Sequence, residues 1–393
     1  MSVMNKFILD GKRNDWKWQN ANRITDAESF RKAFPNCTAE LAENIGGYIR
    51  KFRFAATPYY LSLVAKDGQG NPLPGDPLWK QVCFHPADTP DSDGYADGKV
   101  NWENPAEFPT PILHHKYPDR ALLRITDHCM CYCNYCYLTA RILDKNTPKH
   151  NLFEDDYWEK SLDYIRKHTE IRDILISGGE PLLFDNASLE KVLAGIRGIG
   201  TVKTIRLNTR ALSFNPFRFD NGLAGLFRDY RLTALEIHTS HPSEITPEFD
   251  DALSTLESSG YRPMILWRAP LLRGINDSAE TLEKLFIMLY ERRIEPYYLF
   301  HYAPYSLSRA EYGVSVRRGA AILRELRRRI PGPSFPRYTL FHIHGKQDIP
   351  LSENGTGDFI YETDKNGNSI VRFIDWKGEW SIYPDVGEKG NRP

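Results

Sequence analysis

No stretch of this chain approaches the run of about 18 uninterrupted apolar residues that spans a bilayer, so none of its 393 residues is expected in a membrane helix. Neither sign of charge dominates: 51 basic side chains stand against 51 acidic ones, a formal net charge of zero. That balance gives no electrostatic reason to expect nucleic acid or an anionic membrane as partner. The opening residues, MSVMNKFILDGKRNDWKW, lack an apolar core followed by a small-residue cleavage site, so a cytoplasmic location is expected rather than secretion. No internal repeat is evident beyond an alternation of strand and helix patterns. Hydrophobic residues at 41% and charged ones at 26% exclude a disordered or collagen-like chain and leave an ordinary globular one.

Cysteine is scarce, with six in the chain, yet four of them fall within eight residues: Cys129, Cys131, Cys133 and Cys136, leaving Cys37 and Cys83 apart. A disulfide framework spreads its pairs along a small secreted chain, and a reducing cytosol does not keep them oxidised. Thiols packed on one short loop read instead as metal ligands. Zinc is one reading, because four thiolates close a tetrahedral site. Structural zinc usually draws on two separated pairs, however, and no second Cys-x-x-Cys or His pair with that spacing occurs. A cubane iron–sulfur cluster tolerates tightly spaced cysteines and is the favoured reading.

Six apolar, β-branched runs predict strands: Ala121 to Thr126, Asp173 to Ser177, Thr204 to Asn208, Ala234 to Thr239, Met264 to Ala269, and Tyr297 to Tyr302. Helix-period segments fall between them, at Asp155 to His168, Ala187 to Ile196, Thr246 to Ser259, Asn276 or Asp277 through Arg292, and Val314 to Arg329. Thr246 followed by Pro247 is an N-cap followed by a first-turn proline. Strand–helix alternation at this pitch predicts an α/β fold with a parallel sheet. Six repeats fall short of the eight of a complete TIM barrel, so a partial (β/α)6 barrel is expected, with chemistry at the C-terminal strand ends. The cysteines begin just past the first of those ends. Residues 1–110 read as a helical and loop-rich extension, with loops over Gly68 to Pro77 and Pro86 to Pro111. Residues 111–335 read as the barrel. Residues 336–393 carry short alternating runs punctuated by Asn366-Gly367-Asn368 and Lys377-Gly378, a small antiparallel appendage ending in a frayed tail.

The spacing Cys129-x3-Cys133-x2-Cys136 resembles that of the radical S-adenosylmethionine (SAM) superfamily. The resemblance implies three thiolates on three irons of a [4Fe–4S] cluster, the fourth iron chelating SAM, and a 5′-deoxyadenosyl radical formed on its one-electron cleavage. Tyr135 holds the aromatic position that in the superfamily packs on the adenine. Gly178-Gly179-Glu180, after the second strand, is similar to the motif that contacts the methionine amino group. Cys131 is then a bystander.

The chain further resembles the lysine 2,3-aminomutase family from Asp15 to Pro384. The similar segments are NDWKWQNANRI, TPYYLSL, HHKYPDRALLRITDHC, RLNTRAL, HTSHPSEIT, LLRGIND and PYYLF, in one order. The family implies pyridoxal 5′-phosphate (PLP), held by a lysine and by cations on its phosphate. Lys346, in HIHGKQDIP, stands at the lysine position, although only Gly345 of a glycine-rich run remains; an exposed lysine with no such role is the plain alternative. Lys116, Arg120 and Arg210 stand at phosphate-contact positions, where rim salt bridges are the alternative reading. Leu138 replaces the family arginine that clamps the substrate carboxylate, and Ala303 and Thr339 replace two aspartates that hold the distal ammonium of lysine. Lysine is therefore not the expected substrate. Arg268 is the candidate carboxylate clamp, with Arg141 as a second candidate better read as a structural ion pair. His238, His241, His301, His342 and His344 read as hydrogen-bonded wall residues or acid–base groups.

The basic run from Arg317 to Arg329 has helical apolar spacing and reads as an outer helix with a solvated face rather than an RNA surface. The expectation is a radical SAM enzyme, a PLP-dependent 2,3-aminomutase on an amino acid other than lysine. Its partners would be a small-molecule substrate, a flavodoxin- or ferredoxin-type reductant, and further copies of the chain in a homo-oligomer, with no nucleic acid and no membrane. The alternative on the same fold is a PLP-independent radical reaction, such as epimerisation, dehydrogenation or modification of a peptide or natural product.

Overall fold

The computed structural model describes residues 13–82, 103–143, 145, 149–150, 152–153, 156–303 and 309–385. Cys83, most of the loop expected over Pro86 to Pro111 and the tail expected to fray lie outside these residues. The described chain divides into two compact units. One comprises the N-terminal helices with Pro105–Thr239 and Ser243–Ile265, and the other comprises Ser240–Pro242 and the chain from Leu266 onward.

The first unit opens with five helices: α1 (Trp16–Ala21), α2 (Ala27–Ala33), α3 (Ala39–Lys51), α4 (Pro58–Leu63) and α5 (Pro77–Val82). Most of their starts are written in the sequence. Asp15, Asp26, Thr38 and Thr57 precede α1 to α4, and each side-chain oxygen accepts a first-turn backbone N–H. An antiparallel hairpin follows, β1 (Leu113–Tyr117) with β2 (Arg120–Thr126). From β2 the chain alternates with helices: α6 (Tyr157–Lys167), β3 (Asp173–Gly178), α7 (Asn186–Arg197), β4 (Thr204–Thr209), α8 (Asn221–Asp229), β5 (Ala234–Ile237) and α9 (Pro247–Ser258). Strands β2 to β5 pair in parallel and in chain order. Ile174, Ile176, Ile205, Leu207, Leu235 and Ile237 are fully or almost fully buried, which is what a parallel sheet covered by crossover helices requires.

Strand β6 (Met264–Pro270) begins in the first unit, where Met264 N–H donates to the Thr233 carbonyl, and ends in the second. There it pairs in parallel with β7 (Glu295–Phe300), and β7 with β8 (Arg337–His342), through crossover helices α10 (Ala279–Glu291) and α11 (Val316–Leu326). An antiparallel strand, β9 (Gly345–Asp348), follows β8. A separate three-stranded antiparallel sheet holds β10 (Phe359–Thr363), β11 (Ser369–Ile374) and β12 (Trp380–Pro384). Parallel strands in sequential order, joined by helices, are the topology of a partial (β/α) barrel.

The six βα repeats are present, and three details differ from the sequence expectation. Helix α8 had no clear pattern, since the segment NGLAGLFRD carries two glycines. The cap of α10 is Ser278, which accepts from Thr281 N–H, while Asp277 accepts from Gly274 N–H one turn earlier. The strand after residue 336 joins the parallel sheet as β8, and the antiparallel sheet starts only at Phe359.

Candidate active site at the cysteine loop

The cysteines follow the C-terminal end of β2, and the loop is fastened from three directions. From the N-terminal helices, Arg23 Nη1 donates to Cys129 O at 2.6 Å, Tyr132 N–H to Ala55 O at 3.0 Å, and Asn134 N–H to Gln81 O at 2.9 Å. From the end of β3, Gly179 N–H donates to Thr126 O at 2.6 Å and Glu180 N–H to His128 O at 2.7 Å. Within the loop, buried Asp127 accepts from Arg141 Nε at 3.0 Å and from His150 N–H at 3.1 Å. Arg141 is therefore an ion-pair strut, as its plainer reading held.

Both glycines exist for this junction. Gly178 has φ of 124°, and a Cβ there would overlap the Thr126 carbonyl oxygen; at Gly179 it would overlap that of His128. Glu180 is buried, and its carboxylate accepts from Leu182 N–H at 3.0 Å, Thr209 Oγ1 at 2.7 Å and Arg210 N–H at 2.8 Å. It ties the end of β3 to the end of β4. Burial raises its proton affinity, and the donors from Arg210, Thr209 and Leu182 work against that rise.

Cys131 is buried, and the other three loop thiols are partly so. Burial, then Cys136 and Cys133, raise the Cys129 thiol, while burial and Cys133 push Cys136 up to about 12. Cys133 thus acts on Cys129 and Cys136, and on Cys131 as well. Among the described residues no three His, Cys, Asp or Glu side chains converge on the position of one ion. A cubane asks for a different geometry, because each thiolate binds its own iron. Cys131 is engaged elsewhere, its sulfur accepting Thr57 N–H at 3.3 Å, at the cap of α4. On one flank Cys129 and Cys136 pack against an apolar cluster of Ala55, Tyr132, Leu138, Ile142 and Leu143.

Beside the loop lies a buried polar network that the sequence did not announce. Arg210, directly after β4, is 8% exposed. Its Nη1 donates to Cys133 Sγ at 2.9 Å and to the Tyr135 hydroxyl. Its Nη2 donates to Gln81 Oε1 at 2.9 Å and to Glu244 Oε2 at 2.8 Å. Gln81 Oε1 also accepts the Tyr135 hydroxyl at 2.9 Å, and Gln81 Nε2 reaches Glu244 Oε1 at 3.0 Å. His238 Nε2 lies 3.4 Å from the Tyr135 hydroxyl. Gln81 lies in no motif, and Glu244 lies within HTSHPSEIT without being singled out there. For Gln81 the sequence offers only a glutamine among the apolar residues of LWKQV.

The three cations expected around one phosphate are not brought together. Lys116 and Arg120 lie on the hairpin strands β1 and β2, Lys116 with Glu107 at 2.9 Å and Arg120 with Asp119 at 3.0 Å. Arg120 opens β2 and the cysteine loop follows its other end, about 20 Å away at 3.3 Å per residue. Arg210 sits past the end of β4, already committed to Cys133, Tyr135, Gln81 and Glu244.

In the second unit, Lys346 lies on β9 opposite Phe341, exposed, with Nζ 4.3 Å from the centre of the Tyr298 ring and 5.4 Å from that of Phe300. Arg268 pairs in register with Tyr298 on the adjacent strand and is half-buried. His301 is buried, with Nδ1 3.0 Å from the Tyr338 hydroxyl. Thr339 is buried and donates to Asp348 Oδ1 at 2.7 Å; Ala303 is buried too. His344 Nδ1 lies 2.9 Å from Ser381 Oγ and 3.3 Å from Asp375.

The chain is 32% identical over 351 residues to the L-lysine 2,3-aminomutase of Clostridium subterminale, covering 89% of this chain and 80% of that one. Identity to the L-lysine 2,3-aminomutase of Acetoanaerobium sticklandii is 30% over 374 residues, 94% and 85% of the two chains. Identity to the glutamate 2,3-aminomutase of Clostridioides difficile is 30% over 375 residues, 95% and 83% of the two. No protein-family model matches the chain. Coproporphyrinogen III oxidase from Escherichia coli covers 53% of the chain at 14% identity and a TM-score of 0.35, too slight a likeness to bear on fold or activity.

Proposed function

The chain belongs to the lysine 2,3-aminomutase family of radical SAM enzymes, and from that premise we propose that it is a PLP-dependent 2,3-aminomutase acting on an amino acid other than lysine. The observation that carries this reading is a match over nearly the whole chain to relatives named for one reaction on two substrates, lysine and glutamate. The donor set supports it: three partly buried thiols on one fastened loop at a strand's C-terminal end.

In this reading Cys129, Cys133 and Cys136 hold a [4Fe–4S] cluster, which with SAM supplies the one-electron cleavage that starts radical chemistry. Gly178 and Gly179 bring the β3 end onto the cysteine loop, Glu180 fixes β3 to β4, and Tyr135 is oriented by Gln81 and Arg210. The apolar cluster around Leu138 keeps water from one flank, which protects a radical from quenching. PLP, when bound, carries the migrating amino group. Lys346 offers its amine. Arg268 offers the substrate carboxylate a guanidinium, since Leu138 is apolar and packed. Ala303 and Thr339 carry no charge, which leaves a second substrate ammonium unpaired there. A low-potential flavodoxin or ferredoxin supplies the electron.

The decisive experiment is anaerobic reconstitution, absorption spectra with and without PLP, borohydride reduction, and peptide mapping. PLP fixed to the peptide containing Lys346 supports the aminomutase. Iron loading and SAM cleavage without PLP capture would instead establish a PLP-independent reaction on the same fold. That second reading is favoured by one observation, the commitment of Arg210 to partners other than a phosphate.

A further inference from the structure

We infer that Arg210 is a positioning residue for the iron–sulfur cluster, a buried cation on the Cys133 sulfur that raises the cluster's reduction potential. The inference rests on the reading of Cys129, Cys133 and Cys136 as cluster ligands. It replaces the expectation of Arg210 as a phosphate contact.

The guanidinium leaves little for a phosphate. Both terminal nitrogens are spent, on Cys133 Sγ and Tyr135 from one and on Gln81 and Glu244 from the other. A fork of this kind is rigid, and here it is clamped on every side. Glu244 gives it one full negative charge at 2.8 Å, while Gln81 bridges Glu244 and Tyr135. The Phe214 ring lies 4.1 Å from Cζ. Glu180 holds the Arg210 backbone N–H. Movement of Nη1 away from sulfur would break several of these bonds at once.

Charge accounting points the same way. A buried arginine and one buried carboxylate compensate each other. The remaining acceptor at Nη1 besides a phenol is the Cys133 sulfur, held at 2.9 Å. Among the described residues Arg210 Nε is buried without a hydrogen-bond partner. A donor on a ligating sulfur withdraws electron density, and a nearby positive charge stabilises the more negative, reduced cluster. Both raise the potential. The cluster takes up one electron from its donor; Arg210 forms and breaks no covalent bond and keeps its protons.

The test uses the full-length reconstituted protein without SAM or substrate. The cluster potential is measured by redox titration with dithionite, followed by electron paramagnetic resonance, with iron and sulfide assayed in each sample. Arg210→Gln is expected to lower the potential enough to change the oxidised-to-reduced ratio about tenfold, which for one electron is about 59 mV. Arg210→Lys, which keeps the charge, should recover most of that shift. Should Arg210→Gln fail to load iron because Glu244 is left unpaired, the Arg210→Gln/Glu244→Gln double variant carries the measurement. An unchanged potential in a fully loaded variant overturns the assignment. So does loss of the cluster in every Arg210 variant including the double one, which would make Arg210 merely structural. A wild-type protein that assembles no cluster would instead sink the ligand reading itself.

Discussion

Cys131 sits two residues from Cys129 and two from Cys133, yet its sulfur is spent on Thr57 N–H at the cap of α4. Cys129 and Cys136 pack instead against the apolar cluster around Leu138. The two roles separate on substitution. Cys131→Ser should keep the full iron and sulfide content after reconstitution and lose about 1 kcal/mol of stability, the order of one buried hydrogen bond. Cys133→Ser should lose most of its iron. Iron analysis with thermal melts on both variants checks the pair, and equal iron loss in the two would contradict the division. The spacing made three of four cysteines legible as ligands. It left the fourth without a role, because a contact to residue 57 lies 74 residues away and no local pattern encodes it. Gln81 was invisible for the same reason, and Glu244, although inside HTSHPSEIT, gave no sign of its partner Arg210.

At the scale of elements, the junction between the β3 end and the cysteine loop depends on glycine. Gly179→Ala would drive a methyl into the His128 carbonyl, an overpacking cost of about 1–3 kcal/mol or more with no flexible side chain to yield. Gly225, in the middle of α8, meets only the tip of Arg228 at 4.0 Å, so Gly225→Ala should be neutral or stabilising by up to about 1 kcal/mol. Denaturant melts of the two variants should move in opposite directions. Asp375 organises the turn between β11 and β12. Burial works against its charge, but the Glu379 and Lys377 N–H groups and the Ser381 hydroxyl outweigh that and hold its carboxyl below the ordinary value. Because the folded value lies below the unfolded one, this stabilisation is present above about pH 4 and is lost as pH falls through the folded value. Amide protection factors in β11 and β12 should therefore fall on acidification more than those in β3 and β4. Asp375→Asn should flatten that difference, and a difference of the same size in the variant would contradict the assignment.

For the whole molecule, the alternation of apolar runs with helix-period segments sufficed to place six βα repeats and the cysteine loop at a strand's C-terminal end. Strand periodicity says nothing of what a strand pairs with, which is why β8 read as part of the antiparallel appendage. Its partner, β7, lies some 40 residues earlier, across α11. The phosphate cations illustrate the converse. Arg120 opens a strand and Arg210 follows one, and both strands are legible as apolar runs, so the separation of the two arginines to opposite strand ends is implicit in the sequence pattern. What motif resemblance carried was the type of chemistry; strand direction decided which of the matched residues share a site. The proposed reaction is the 1,2-shift of an amino group in an amino acid other than lysine. The most direct measurement is anaerobic incubation of the reconstituted protein with SAM, PLP, dithionite and, separately, lysine, glutamate and a panel of neutral amino acids, with products identified by nuclear magnetic resonance. A 3-amino isomer is expected from at least one amino acid other than lysine and none from lysine. Lysine converted in preference to the rest, or SAM cleaved with no amino group moved in any of them, would contradict it.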